Sequence, residues 1–156
     1  LNNYDWEPLE LIESVQIDSF EVWKNTVRQC NEIADVLLIS HYHTLKPESG
    51  KQRVVPPGDV IAWTEENTTL PNIGCWSFFV QDGGMMAIAI SGNEQGEVSA
   101  EMAVEIIEKK IKPSDIPVTK TKNYVICLKE SGLKEKNVVV PEIYQMFARA
   151  TNNYFE

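Results

Sequence analysis

No run in this chain approaches twenty consecutive apolar residues, so nothing in it reads as a membrane-crossing helix. Nor does it open on the basic and apolar pattern of a secretory leader, which is also how a trimmed mature chain looks. Basic residues are scarce: 14 lysines and arginines stand against 23 acidic residues, a formal net charge of −9. Such a surface repels phosphate backbones and anionic membranes, which removes nucleic acid from the expected partners. Cysteine is sparse as well. Cys30, Cys75 and Cys127 have neither metal-ligand nor redox spacing, and each sits inside an apolar pattern, so they read as buried free thiols. No segment repeats another and none is low in complexity. What remains is 156 residues, 43% of them hydrophobic, enough to bury one ordinary core.

The apolar pattern alternates between sheet and helix. Residues 1–8 have no period and read as a lead-in. Leu9, Leu11, Val15 and Ile17 line one side of an extended run, which predicts a strand with one face less buried. Asp18 and Glu21 have capping-box spacing ahead of a helix whose stripe is Phe20, Trp23, Val27, Cys30 and Ala34. The continuous run 35–40 predicts a central parallel strand covered on both faces. A basic, glycine-bearing loop over 46–53 precedes a weakly patterned helix near 60–67, and a strand is expected over 73–79. Strands at 85–91 and 123–128, an extended segment at 138–140 and a final helix opened by Pro141 complete the order.

The chain is organised around residues 90–118. Val98, Met102, Ala103, Ile106, Ile107 and Ile111 recur at three- and four-residue spacing, and Pro113 stops the helix they define. A strand, a glycine-bearing turn, an amphipathic helix and a return strand form one unit of an α/β sheet, so the expected fold is an open, mostly parallel sheet with helices on both faces. In such sheets ligands are met at the carboxyl ends of strands. Three strand ends carry suitable residues: Ser40-His41-Tyr42-His43-Thr44, Cys75-Trp76-Ser77-Phe78 and Ser91-Gly92-Asn93-Glu94.

Catalytic readings fare worse. His41 and His43 alternate on an extended segment and point to opposite sides, with no evident third metal ligand. Ser77 lacks the flanking glycines of a nucleophile elbow. Gly83-Gly84 lacks the spacing and lysine of a phosphate loop. Glu101, Glu105 and Glu108 read as solvated helix surface.

The order of residues also carries a resemblance. Leu70-Pro71, Gly83, Glu94, Gly96, Glu101-Met102-Ala103-Val104 and Pro113-Ser114-Asp115-Ile116-Pro117-Val118 are followed by Asn123-Tyr124-Val125-Ile126-Cys127-Leu128-Lys129, Gly132-Leu133, Val140-Pro141-Glu142 and Arg149-Ala150. Together they resemble the C-terminal half of extracytoplasmic solute-binding proteins related to the tryptophan-binding component of ABC transporters. The resemblance implies a periplasmic-binding-protein-like (type I) lobe that binds a small-molecule solute, an amino acid among the candidates, without catalysis or cofactor. It implies an extracytoplasmic location and a membrane permease or signalling partner. It also implies that Ser40, His41, Tyr42, Trp76, Ser77 and Asn93 line a cleft. Where the family has Gly-Asp-Glu, this chain has Cys75-Trp76-Ser77, which removes two carboxylates and supplies a stacking or cation–π face.

Members of that family have two lobes, so the chain maps onto one: 9–84 as lobe core, 85–118 as a crossover strand and helix, 119–156 as the closing strand and helix. Leaving Met102, Ile106 and Ile107 in water would forgo about 1.5–3 kcal/mol per large side chain. The 96–111 helix is therefore expected to fold back on its own sheet or to pair with a second copy of the chain. Two rival readings are an extracytoplasmic sensor domain of a signalling protein, with the same fold, and a flavodoxin-like enzyme or phospho-acceptor domain.

Overall fold

A computed structural model describes residues 5–48 and 53–156. The expectations for residues 1–4 and for the glycine-bearing part of the 46–53 loop, residues 49–52, lie outside the described residues. The element order is α1 (Phe20–Ile33), β1 (Leu37–Ile39), α2 (Pro57–Asn67), β2 (Asn72–Gly74), α3 (Phe78–Gln81), β3 (Met86–Ile90), α4 (Gly92–Ile107), β4 (Tyr124–Lys129), α5 (Glu130–Glu135), α6 (Glu142–Ala150) and β5 (Tyr154–Phe155), with one 3₁₀ turn at Pro113–Asp115. The five strands lie in the order β1-β2-β3-β4-β5. Three of the four pairings are parallel; β3 and β4 are antiparallel, with Ala87 opposite Cys127. The mostly parallel α/β sheet read from the sequence is therefore the fold.

Alternation along the strands separates the two faces. Ile39, Ala87 and Cys127 pack with Trp23 and Val27 of α1, Val60 and Ile61 of α2, and Phe79 and Val80 of α3. Met86, Ile126 and Leu128 point the other way, against Leu133, Val140 and Ala148 from α5, α6 and the segment between them. Trp23 is core, as its place in the α1 stripe predicts. Its indole Nε1 donates to Thr64 Oγ1 at 2.9 Å, and that hydroxyl donates to the Val60 carbonyl at 2.7 Å. One buried polar chain thus fixes α1 on α2.

Five expectations change. Residues 9–17 are extended but unpaired, with Leu9, Ile12 and Val15 exposed; an alternating pattern needs a neighbouring strand before it becomes sheet. Past them Ser19 bridges to Lys46, and the capping box expected of Asp18 and Glu21 does not form, since Ser19 is the residue before α1 and no side-chain capping bond is made there. β1 is an edge strand, not a central one, and Leu38 is 54% exposed on the face that α1–α3 do not cover. The 73–79 run stops being strand at Gly74, because residues 78–81 turn into α3. The last concerns α4, which starts at Gly92, capped by Ser91 Oγ accepting the Glu94 N–H at 3.2 Å, and buries no residue. It does not fold back on the sheet. Val98, Met102 and Ile106 instead face residues 113–121 across a groove of about 390 Å³.

Candidate functional site

The carboxyl ends of the adjacent parallel strands β1 and β2 carry two segments, 40–46 and 75–78, on one rim of the sheet. Backbone bonds hold the first in place: Phe20 N–H donates to the Lys46 carbonyl at 2.7 Å, Lys46 N–H to the Asp18 carbonyl at 2.9 Å and Val55 N–H to the Leu45 carbonyl at 2.8 Å. Cys75 N–H donates to the Ile39 carbonyl at 3.0 Å, which sets the second segment against the first.

The side chains that result form an aromatic wall. The Trp76 and Phe78 rings are stacked, 5.9 Å between centroids and 7° from parallel. His41 meets Trp76 edge-on at 5.8 Å. His43 lies edge-on to Phe78 at 4.6 Å and tilted over Tyr42 at 4.3 Å. Behind them Tyr42 is buried, its ring edge-on to Phe79 at 6.0 Å. Trp76, Ser77 and Phe78 are half-buried and His41 is exposed, so the wall has a solvent-facing side.

One carboxylate serves this wall. Asp82 Oδ2 accepts the Tyr42 hydroxyl at 2.5 Å and lies 3.5 Å from His43 Nε2. Burial, then the hydrogen bond to Asp82 and its negative charge, push the Tyr42 phenol far above its ordinary value, so Tyr42 is a fixed neutral donor. Tyr42→Phe leaves Asp82 without that donor and is expected to cost about 1.5–3 kcal/mol, the range for bonds to charged groups. Urea denaturation checks it, and a loss below about 0.5 kcal/mol would show that water replaces the hydroxyl. Of the three free thiols expected to be buried, Cys127 is and Cys30 and Cys75 are half-buried; partial burial pushes the Cys75 thiol up, which keeps it protonated at neutral pH.

Of the sequence-predicted residues, the fold brings His41, Tyr42 and Trp76 together. Ser40 is exposed at the end of β1, and Ser77 stands before α3 without capping it. Asn93 is exposed in the first turn of α4 and lines a different groove, with Tyr124, Ile143, Tyr144 and Phe147. His43, Phe78 and Asp82 complete the wall. His43 and Phe78 stand in the strand-end clusters read from the sequence, whereas the signal for Asp82 was hidden, because Phe78-Phe79 continues the apolar run and reads as strand. The one helical turn of α3 is what swings Asp82 beneath Tyr42.

Comparison with solved structures gives the same fold. A conserved domain protein from Vibrio cholerae superposes with a TM-score of 0.61 at 14% identity, over 88% of this chain and 42% of that one. A Streptococcus pneumoniae ABC domain in complex with L-Trp gives 0.59 at 18% identity, over 86% and 42%. The ligand-free, open structure of a substrate binding protein with adhesive properties from Clostridium difficile gives 0.54 at 22%, over 78% and 38%. The chain thus spans about two fifths of the length of each of these structures. No curated protein sequence matches it. A family model does, over residues 57–152, well over half of the chain and inclusive of Trp76, Asp82 and Asn93. The chain belongs to the ABC transporter substrate binding protein family.

Proposed function

We propose that this chain forms one lobe of a two-lobed, non-enzymatic receptor that holds a small-molecule solute outside the cytoplasm and delivers it to a membrane permease. The observation that carries the reading is the stacked Trp76–Phe78 pair with His41 edge-on, at the carboxyl ends of two adjacent parallel strands. Apolar and aromatic walls with a few placed polar groups are how small-molecule sites are built, and a second lobe would close over this one by hinge motion. A flat or cationic ligand fits the wall best, since Trp76 offers a π-face and Asp82 a nearby negative charge. Amino acids qualify on both counts, and one structural neighbour holds L-Trp. Ser40 and Ser77 supply polar contacts at the margin, while Asn93 stands apart on the neighbouring groove.

The test is a thermal-shift screen over amino acids and small amines, on this chain and on a two-lobed protein that contains it. A hit should raise the melting temperature of the two-lobed form, and Trp76→Ala should weaken that ligand by about tenfold or more while leaving the unliganded melting temperature within a few degrees. If Trp76→Ala binds as tightly as the wild type, the wall is not the site.

The outer side of α4 leaves Val104 and Ile107 exposed, the latter by 65%. In the same reading this side meets the facing lobe, and in the chain alone it pairs two copies. Light scattering should then show a dimer that Ile107→Lys dissociates. A wild-type monomer at high concentration would remove the pairing.

A further inference from the structure

The chain leaves the sheet at Ser91 and returns to it at Asn123, and the intervening α4 and residues 108–121 have no buried residue. The two crossings run side by side, with Ser91 N–H donating to the Asn123 carbonyl at 3.2 Å. Ser91 Oγ accepts the Glu94 N–H, which turns that residue back toward the returning strand. There the Glu94 carboxylate accepts the Asn123 N–H at 2.9 Å through Oε2, and the Lys122 N–H at 3.0 and 3.2 Å through Oε1 and Oε2. Gln95 Nε2 adds a bond to Thr121 Oγ1 at 2.6 Å. Glu94, with Gln95 beside it, therefore ties the outgoing helix to the incoming strand.

We infer that Glu94 is a hinge staple, a positioning residue that fixes the angle at which the arm of residues 92–121 leaves the sheet, and with it the position of Asn93. The physical reason is that the arm has no buried side chain of its own to hold its angle. An element without buried side chains draws its orientation from its attachments, and segments of that kind are the first to open locally. The acid holds better than its amide. Two backbone N–H groups converge on two carboxylate oxygens, whereas Gln would turn an NH₂ group toward one of the donors. The inference stands apart from the solute reading, because its readouts need no ligand.

Amide hydrogen exchange and ¹⁵N relaxation of the wild type, Glu94→Gln and Glu94→Ala test it. In Glu94→Ala the Lys122 and Asn123 amides should exchange about five- to tenfold faster, which corresponds to losing a bond of about 1 kcal/mol or more. Order parameters across 92–121 should fall together, while Ala87 and Cys127 in the sheet keep their protection. Glu94→Gln should lie between the two. Unchanged Lys122 and Asn123 exchange in Glu94→Ala would overturn the staple, as would fraying confined to the first turn of α4. Equal loss of protection in β3 and β4 would show that Glu94 merely supports the fold, and Glu94→Gln, which retains one acceptor, keeps that distinction readable if the alanine variant is too unstable to measure.

Discussion

Alanine at Gly84 is expected to cost about 3 kcal/mol or more, at or beyond the upper end of the usual overpacking range. A Cβ there would stand 2.1 Å from Phe79 Cε1, 2.4 Å from Cδ1 and 2.6 Å from Cζ. The ring cannot retreat on its other side, where a Cβ on Gly74 would meet Phe79 Cγ at 2.3 Å and its Cβ at 2.4 Å. Nor can the backbone give way easily: Gly84 N–H donates to the Phe79 carbonyl at 2.9 Å, and Gly74 is held between Ile39 and Ala87 in the parallel ladder. For a chain of this size, a loss of that magnitude lowers the melting temperature by about 6–12 °C.

The two glycines respond differently to a second change. Phe79→Leu removes the outer ring atoms that crowd Gly84 but keeps the inner ones that crowd Gly74. It should therefore relieve Gly84→Ala substantially and Gly74→Ala hardly at all, a non-additivity that denaturation midpoints of the single and double variants resolve. Independent, additive losses at Gly84 and Phe79 would contradict this account of the packing. Because the Phe79 ring also backs Tyr42, displacement of Phe79 should disturb the aromatic wall as well as the core.

That wedge is a feature the sequence does not advertise. Gly74 and Gly84 look like turn punctuation, and among the described glycines only Gly83, with φ of 117°, is there for a backbone conformation that other residues rarely adopt. What was legible followed from periodicity. Trp23 and Val27, one turn apart, give α1; the apolar run 37–39 gives β1; the strand to Ser91 followed by the stripe Val98, Met102 and Ile106 gives the β3–α4 unit, although the helix expected over 96–111 begins at Gly92 and ends at Ile107. What was not legible depends on neighbours. β4 runs antiparallel to β3 because the chain comes back along the arm from 113 to 121 instead of crossing under the sheet, and no local residue records that path. Likewise the 9–17 run has strand chemistry without a strand beside it. At the site, His41, Tyr42 and Trp76 could be picked out because they sit at strand ends, whereas Asp82 reaches Tyr42 only through a helical turn too short to have a period.

At the opposite end of the sheet a buried ion pair sets the second large expectation. The Lys136 side chain is 7% exposed, and its Nζ donates to the Glu65 carbonyl at 2.8 Å and to the Thr68 carbonyl, 3.7 Å from Glu65 Oε2. Glu65 Oε1 accepts the Met85 N–H at 3.2 Å, so the pair joins α2, the segment after α5 and the start of β3. Lys136→Met is expected to cost about 3–5 kcal/mol at neutral pH, since it leaves a carboxylate buried without its cation. Burial already pushes the Glu65 carboxyl above its ordinary value, against the pull of Lys136 and of the Met85 N–H. The folded protein thus holds that proton more tightly than the unfolded chain. The stability linked to it is complete below the unfolded value of about 4.3 and is lost as pH rises through the higher folded value. Without Lys136 the folded value climbs further, so the deficit of Lys136→Met should shrink as pH falls from about 7 toward about 5, while a Glu65→Gln, Lys136→Met double variant should recover most of the loss at neutral pH. Urea denaturation of the three variants at both pH values decides the matter. A deficit that grows in acid, or a double variant no better than the single one, would mean that Lys136 acts only as a cap on the Glu65 and Thr68 carbonyls at the end of α2 and not as the counter-ion of Glu65.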